Sequence, residues 1–240
     1  MKEQALRYLR RDPLHFAGML AALESPNTQI IHANSRGVLL SDSDFNFLSV
    51  QFAQTAKKLI PLLERKDVLA FEPILYDPLC KLGYMQKMVC YPCQYEASQP
   101  ISFHLPPNVE IHPLSHKYDD LIFTHYHLDD QDYLLSRVDE GMFGIFERNN
   151  LAGFIGIHDN DEIGLLVILP AFRRKGYATL LESFMINHQL AKGRMPRGEV
   201  KIGNDASLSL QRKLGMTISD KTCAWFSIEA NMNNIKTDPR

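Results

Sequence analysis

The chain has 240 residues, 45% of them hydrophobic and 22% charged, with a formal net charge of −2. That composition suits a globular protein with a core to bury, and the length allows one large domain or two small ones. It argues against a general nucleic-acid binder, which needs a broad basic face, and no apolar run approaches the ~18 residues of a membrane span.

In chain order, "MKEQALRYLRRDPLHFAGMLAAL" sets basic residues ahead of an apolar stretch, as export signals do. Glu3 and Asp12 interrupt it, and His15 and Glu24 flank the apolar part. The spacing predicts an amphipathic helix, then a second helix capped by Asp12 with Pro13 in its first turn. With no signal read, the expected compartment is the cytoplasm. "TQIIHAN", "VLLSD" and "FNFLSV" read as three strands, "QFAQTAKKLIPLLERK" as a helix, "VLAFEP" as a strand and "YDPLCKLGY" as a short helix. "KMVCYPCQY" reads as a strand with an edge proline. It holds Cys90 and Cys93, which with Cys80 and Cys223 make four cysteines. A structural zinc would need two more ligands at similar spacing, and a redox pair would open a helix. Buried, free thiols are the expectation.

The stretch 96–114, "EASQPISFHLPPNVEIHPL", carries four prolines and predicts a domain boundary near residue 105. The expected domains are 1–105 and 106–240. Beyond it, helical spacing runs through 119–141, at Leu121, Ile122 and His125, then Tyr133, Leu134 and Val138. "MFGIFER", "LAGFIGI" and "EIGLLVIL" follow as strands of an antiparallel meander, with turns at "NN" and "HDND". A long helix, "ATLLESFMINHQLAKG", has Gly193 as its C-terminal cap. "GEVKIG" is a strand, "NDASLSLQRKLGM" a helix capped at Asn204 or Asp205, and "TCAWFSI" the last strand. The two halves echo each other: Val68 to Lys81 and Val200 to Lys213 both span 13 positions and both end in Lys-Leu-Gly. That spacing, with a similar strand order before it, suggests an internal structural repeat.

Between the third meander strand and the long helix lies "PAFRRKGYAT" (170–179). The first amides of a helix lack internal partners and carry partial positive charge, so that end takes phosphates. Gly176 allows unusual dihedrals and close approach, and Arg173, Arg174 and Lys175 add charge. This chemistry suits a diphosphate. The phosphate loop G-x-x-x-x-G-K-[ST] and the dinucleotide fingerprint G-x-G-x-x-G are both absent.

What is present is R-x-x-G-x-A, from Arg173, Gly176 and Ala178. It resembles the [QR]-x-x-G-x-[GA] motif of the GCN5-related N-acetyltransferases, the GNAT superfamily. The context resembles it too: an apolar strand and Pro170 precede the motif, and an asparagine-led helix ending in Leu-Gly follows, from Asn204 to Met216. The likeness covers roughly residues 107–228. It implies a mixed α/β protein, a GNAT fold whose mostly antiparallel sheet is flanked by helices, preceded by a second, degenerate GNAT-like domain.

The resemblance also implies acetyl-CoA as cofactor. Leu166, Val167 and Ile168 would pair with its pantetheine arm. The amides of Arg174, Lys175, Gly176, Tyr177, Ala178 and Thr179 would hold its diphosphate, with Arg173 adding charge. Asn204 would touch the pantetheine arm or simply cap its helix, and Ser207 could reach the same region. The reaction would be direct attack on the thioester by a primary amine, expected on a small molecule. Glu162 stands where relatives keep a carboxylate base, or is a solvated turn residue beside Asp159 and Asp161; His158 and Glu140 rank below it. One position departs from the pattern: many relatives place a tyrosine acid where this chain has Gln211. The alternative is therefore a catalytically weak acyl-CoA sensor or scaffold. The partners expected are a small-molecule amine, with no nucleic acid and no membrane, in a monomer or homodimer. His104, His112, His116, His125 and His127 invite a metal reading, but no carboxylate falls at ligand spacing and none is expected.

Overall fold

A computed structural model describes residues 1–126, 128 and 130–228. His127 and the polar tail 229–240, expected to fray, lie outside them. The chain gathers into two compact units: residues 1–91 with a C-terminal return from Asp220, and residues 92–219. The proline-rich stretch around residue 105 lies inside the second unit.

The first unit opens with α1 (Lys2–Leu9) and α2 (Ala17–Ala22). It continues through β1 (Gln29–Asn34), β2 (Gly37–Ser41), β3 (Phe45–Val50), α3 (Ala53–Leu59), β4 (Asp67–Ala70), α4 (Tyr76–Lys81) and most of β5 (Met85–Gln94). The first three strands form an antiparallel meander, and β3 runs parallel to β4 from Phe45↔Asp67 to Leu48↔Ala70. The last strand, β12 (Cys223–Ser227), enters between β4 and β5 and is antiparallel to both. Strands β2 and β3 are buried throughout because both faces are covered. Val38 and Leu40 face the cluster that includes α1 and α2, while Leu39 and Leu48 face the one that includes α3 and α4. Burial on both faces removes polar alternation, so these strands read as near-continuous apolar runs.

Two local expectations change here. The Asp12 carboxylate accepts the His15 amide and so caps a turn; α2 starts later, at Ala17, with no side-chain cap. The predicted helix over 51–66 is cut short by Pro61, which has no amide hydrogen to donate, and a 3-10 turn over Ile60–Leu62 replaces its second half.

In the second unit, β6 (Val109–Pro113) is followed by α5 (Asp119–His125) and α6 (Gln131–Gly141). The meander β7 (Phe143–Glu147), β8 (Asn150–Ile157) and β9 (Ile163–Ile168) comes next. The sheet order is β6–β7–β8–β9, antiparallel throughout. Then come α7 (Tyr177–Ala191), β10 (Arg197–Lys201), α8 (Asp205–Lys213) and the two-residue β11 (Thr217–Ile218). β10 and β11 pair with β5 rather than with β9. Helices α5 and α6 cover one face of the meander, with Ile122, Leu134 and Val138 against Phe154 and Leu165. α7 lies against β7, β8 and β9. The architecture is mixed α/β, a mostly antiparallel sheet flanked by helices. The helical spacing over 119–141 resolves into two helices: α5 stops at His125, Tyr126 is already extended, and Asp130 caps α6 by accepting the Tyr133 amide at 2.9 Å.

Candidate functional site

β9 is an edge strand, and it carries a bulge. Phe154 pairs with Val167 and Gly156 with Gly164, so Ile155 alone faces both Leu165 and Leu166. Leu165 takes φ +53 to accommodate the extra residue. A bulge leaves one residue outside the ladder, so a backbone group there is free for other work. Leu166, Val167 and Ile168 are half-buried, and among the described residues their outer edge has no ladder partner. At its start β9 runs hard against β10: a β-carbon on Gly198 would come within 2.8 Å of the Ile163 carbonyl oxygen.

Beyond β9, Leu169 still bonds back to Ala152, Pro170 opens a 3-10 turn to Phe172, and the chain bends at Arg174 (φ +65) and Gly176 (φ +83). α7 begins at Tyr177, and its first internal bond is donated by Leu180 to the Gly176 carbonyl at 3.2 Å. Among the described residues, no backbone carbonyl accepts from the amides of Arg174, Lys175, Gly176, Tyr177, Ala178 or Thr179. No side chain caps the helix start either. A β-carbon added to Gly176 would meet nothing within 4 Å, so the space before these amides is open. Six successive donors of this kind form a site for an anion with several oxygens.

The cationic side chains are less free than the sequence suggests. The Arg173 Nε donates to the Ile168 carbonyl at 3.1 Å. Lys175 Nζ lies 2.6 Å from Glu147 Oε2 at the end of β7, a pair that raises the lysine and lowers the carboxyl. Tyr177 is buried. Arg174 is exposed, Ala178 is half-buried, and Thr179 Oγ1 accepts from Lys213 Nζ at 3.3 Å. Asn204 caps α8, its Oδ1 accepting the Ser207 amide at 3.1 Å.

Glu162, immediately before β9, is 6% exposed, which excludes the solvated-turn reading. Burial pushes its carboxyl up to about 8; Glu199 adds to the rise, and Arg197 opposes it from 3.9 Å. His158 accepts from or donates to the Tyr133 hydroxyl at 2.6 Å through Nδ1, and burial with the Arg137 cation depresses it to about 4. A group so weakly basic is a poor proton acceptor; of the two, Glu162 exchanges its proton nearer neutrality. Gln211, on α8, is buried and donates to Glu182 Oε1 at 3.1 Å. Burial raises Glu182 to about 7. Three features of the site lie beyond the sequence reading: the bulge at Leu165, the buried Glu182 and the Glu147 pairing. Each depends on residues brought together from distant positions, for which short-range pattern offers no signal.

Residues 108–216 match the acetyltransferase (GNAT) family. No curated relative matches the sequence. Among solved structures, the chain is similar to a Drosophila protein, with a TM-score of 0.66 at 17% identity over 95% of this chain and 87% of that one. A GCN5-related N-acetyltransferase from Kribbella flavida superposes with a TM-score of 0.56 at 13% identity, over 90% and 94% of the two chains. A GNAT-family acetyltransferase from Colwellia psychrerythraea gives 0.53 at 15% identity, over 93% and 97%. At these identities the likeness is one of fold.

Proposed function

We propose that this chain, whose residues 108–216 match the acetyltransferase (GNAT) family, transfers an acetyl group from acetyl-CoA to a primary amine of a small molecule. The observation that carries this reading is the run of six amides from Arg174 to Thr179 without a backbone acceptor, before open space at Gly176. Those residues fit a diphosphate: donors in series, two αL turns and a helix start give a positive, unobstructed seat. The unladdered edge of β9 at Leu166–Ile168 suits an extended amide-bearing arm, and Asn204 and Ser207 stand at the start of α8 for its far end. Arg173 works through the backbone, fixing the end of β9 by its bond to Ile168.

Acetyl-CoA supplies an activated thioester carbonyl. The chain supplies position, polarisation and a proton acceptor. Holding amine and acyl donor together removes most of the entropic barrier to their encounter. In this reading the backbone group released by the Leu165–Leu166 bulge polarises a carbonyl beside β9. Glu162 takes the proton of the incoming ammonium, directly or through water, with an affinity near neutrality suited to that exchange.

A second reading has its own observation. Gln211 occupies the place where many relatives carry a tyrosine acid, and it is buried against Glu182. Glutamine cannot give up a proton at neutral pH. That favours an acyl-CoA sensor or scaffold with little turnover. One experiment separates the readings: acetyl-CoA with a panel of amines, followed by thiol release, alongside calorimetry with CoA. Transfer to any amine well above hydrolysis supports the enzyme. Binding without release supports the sensor. Absence of binding removes both.

We further propose that the first unit is a degenerate GNAT-like copy. Its β3, α3 and β4 follow the order of β9, α7 and β10, and the Phe52 carbonyl accepts the Thr55 and Ala56 amides early in α3. The Glu72 carboxylate accepts from Ser49 Oγ at 2.6 Å and the Val50 amide at 2.9 Å, just beyond the β3–β4 ladder. A side chain of the protein itself thus fills the space where parallel strands diverge. This supports a structural role for the unit, without a cofactor seat of its own.

A further inference from the structure

A loop whose amides bond to no carbonyl must be kept in shape by something else. Without tethers, residues 173–179 would lose backbone order easily, and ordering them again would weaken any ligand they hold. Besides the Lys213 contact to Thr179 inside the helix, the structure offers one backbone tether and one side-chain anchor. The first is Arg173, bonded to the Ile168 carbonyl at 3.1 Å. The second is Glu147, the last residue of β7, which lies 28 positions away in sequence. It meets Lys175 at 2.6 Å. Lys175 is thereby steered over the rings of Phe172 and Tyr177, at 5.2 and 6.0 Å from their centres. Lys175 adjoins Gly176, so the carboxylate holds the loop directly beside its αL turn.

We propose that Glu147 is the positioning residue of the diphosphate loop, holding Lys175 from β7 so that the six amides stay open and ready. This rests on the CoA reading of the loop given above. In this proposal Glu147 acts through Lys175 rather than on the ligand itself. Its anchor is rigid: β7 is paired on both sides, by β6 and β8. A carboxylate beside a diphosphate would ordinarily repel it. Here the charge is neutralised by Lys175, with Arg148 adding to the cationic surroundings. The lysine thus serves the loop's shape first, rather than acting as a free phosphate ligand.

The test is calorimetry with CoA on the full chain, comparing wild type with Glu147→Ala, Glu147→Gln and Lys175→Met. Glu147→Ala should weaken binding about tenfold by loss of preorganisation, and Glu147→Gln, which keeps one acceptor, should fall between. In turnover, KM for acetyl-CoA should rise while kcat moves much less, a split that general destabilisation would not produce. In a Lys175→Met background the Glu147→Ala effect should shrink, since the two act together. Unchanged or tighter CoA binding by Glu147→Ala would overturn the proposal, tighter binding meaning that Glu147 competes with phosphate for Lys175. If Glu147→Ala does not fold, Lys175→Met alone carries the test, and wild-type affinity there overturns the proposal. Wild-type protein that binds no CoA sinks the CoA reading itself, a result distinct from all of these.

Discussion

Gly176 adopts φ +83 before open space, a combination only glycine meets without strain. Replacing it with glutamate puts a carboxylate where the diphosphate is proposed to sit. We expect Gly176→Glu to lose CoA affinity at least a hundredfold by calorimetry, with a stability cost of only about 1–2 kcal/mol for the αL side chain. Glu162 makes a second prediction, through pH. Its folded carboxyl, at about 8, lies above the ordinary 4.5, so the folded chain holds this proton more tightly than the unfolded chain. The stabilisation is complete at low pH and is lost as pH climbs from 4.5 to about 8. Melts of Glu162→Gln should therefore gain on wild type at pH 8 and match it near pH 4. The same variant should lose the rising limb of the kcat/KM profile if Glu162 is the base. The loop was legible in sequence because cations, glycine and helix start are contiguous. The burial of Glu162 was not, because its neighbours Asp159, Asn160 and Asp161 read as a solvated turn.

At the scale of elements, the strands of both meanders and the long helix after the loop follow the predicted order, since apolar periodicity and turn residues are local signals. What failed to show were places where one residue overrides the pattern: Pro61 just after α3, Tyr126 between α5 and α6, and the bulge in β9. The bulge is invisible in "IGLLVIL" because register is a property of two strands. α8 permits a clean test. Its Asn204 cap satisfies the Ser207 amide, and Asn204→Ala should cost about 1 kcal/mol of stability in a thermal or urea melt. Asn204→Ser keeps a capping oxygen and should restore that stability. If Asn204 also reaches the pantetheine arm, CoA affinity will stay reduced in the serine variant; full recovery would confine Asn204 to capping.

For the whole molecule, periodicity could say that "TCAWFSI" is a strand but not which strands it joins. It lies beyond the second unit in sequence and yet belongs to the first, between β4 and β5. Its register sets Ala224 opposite both Ala70 and Val89, and Phe226 opposite Val68 and Gln86. Phe226 is 1% exposed in the cluster shared with Leu48, Val50 and Leu75. Without this strand, β4 and β5 would each present an unpaired edge and the cluster would lose its central ring. Phe226→Ala should therefore destabilise the protein by about 3–5 kcal/mol, the usual cost of truncating a buried phenylalanine. The measurement is a denaturant melt read at Trp225, which sits next to the substitution and stacks edge-on with Phe45 at 4.9 Å. A loss below about 1 kcal/mol would mean that the returning strand is dispensable to the first unit.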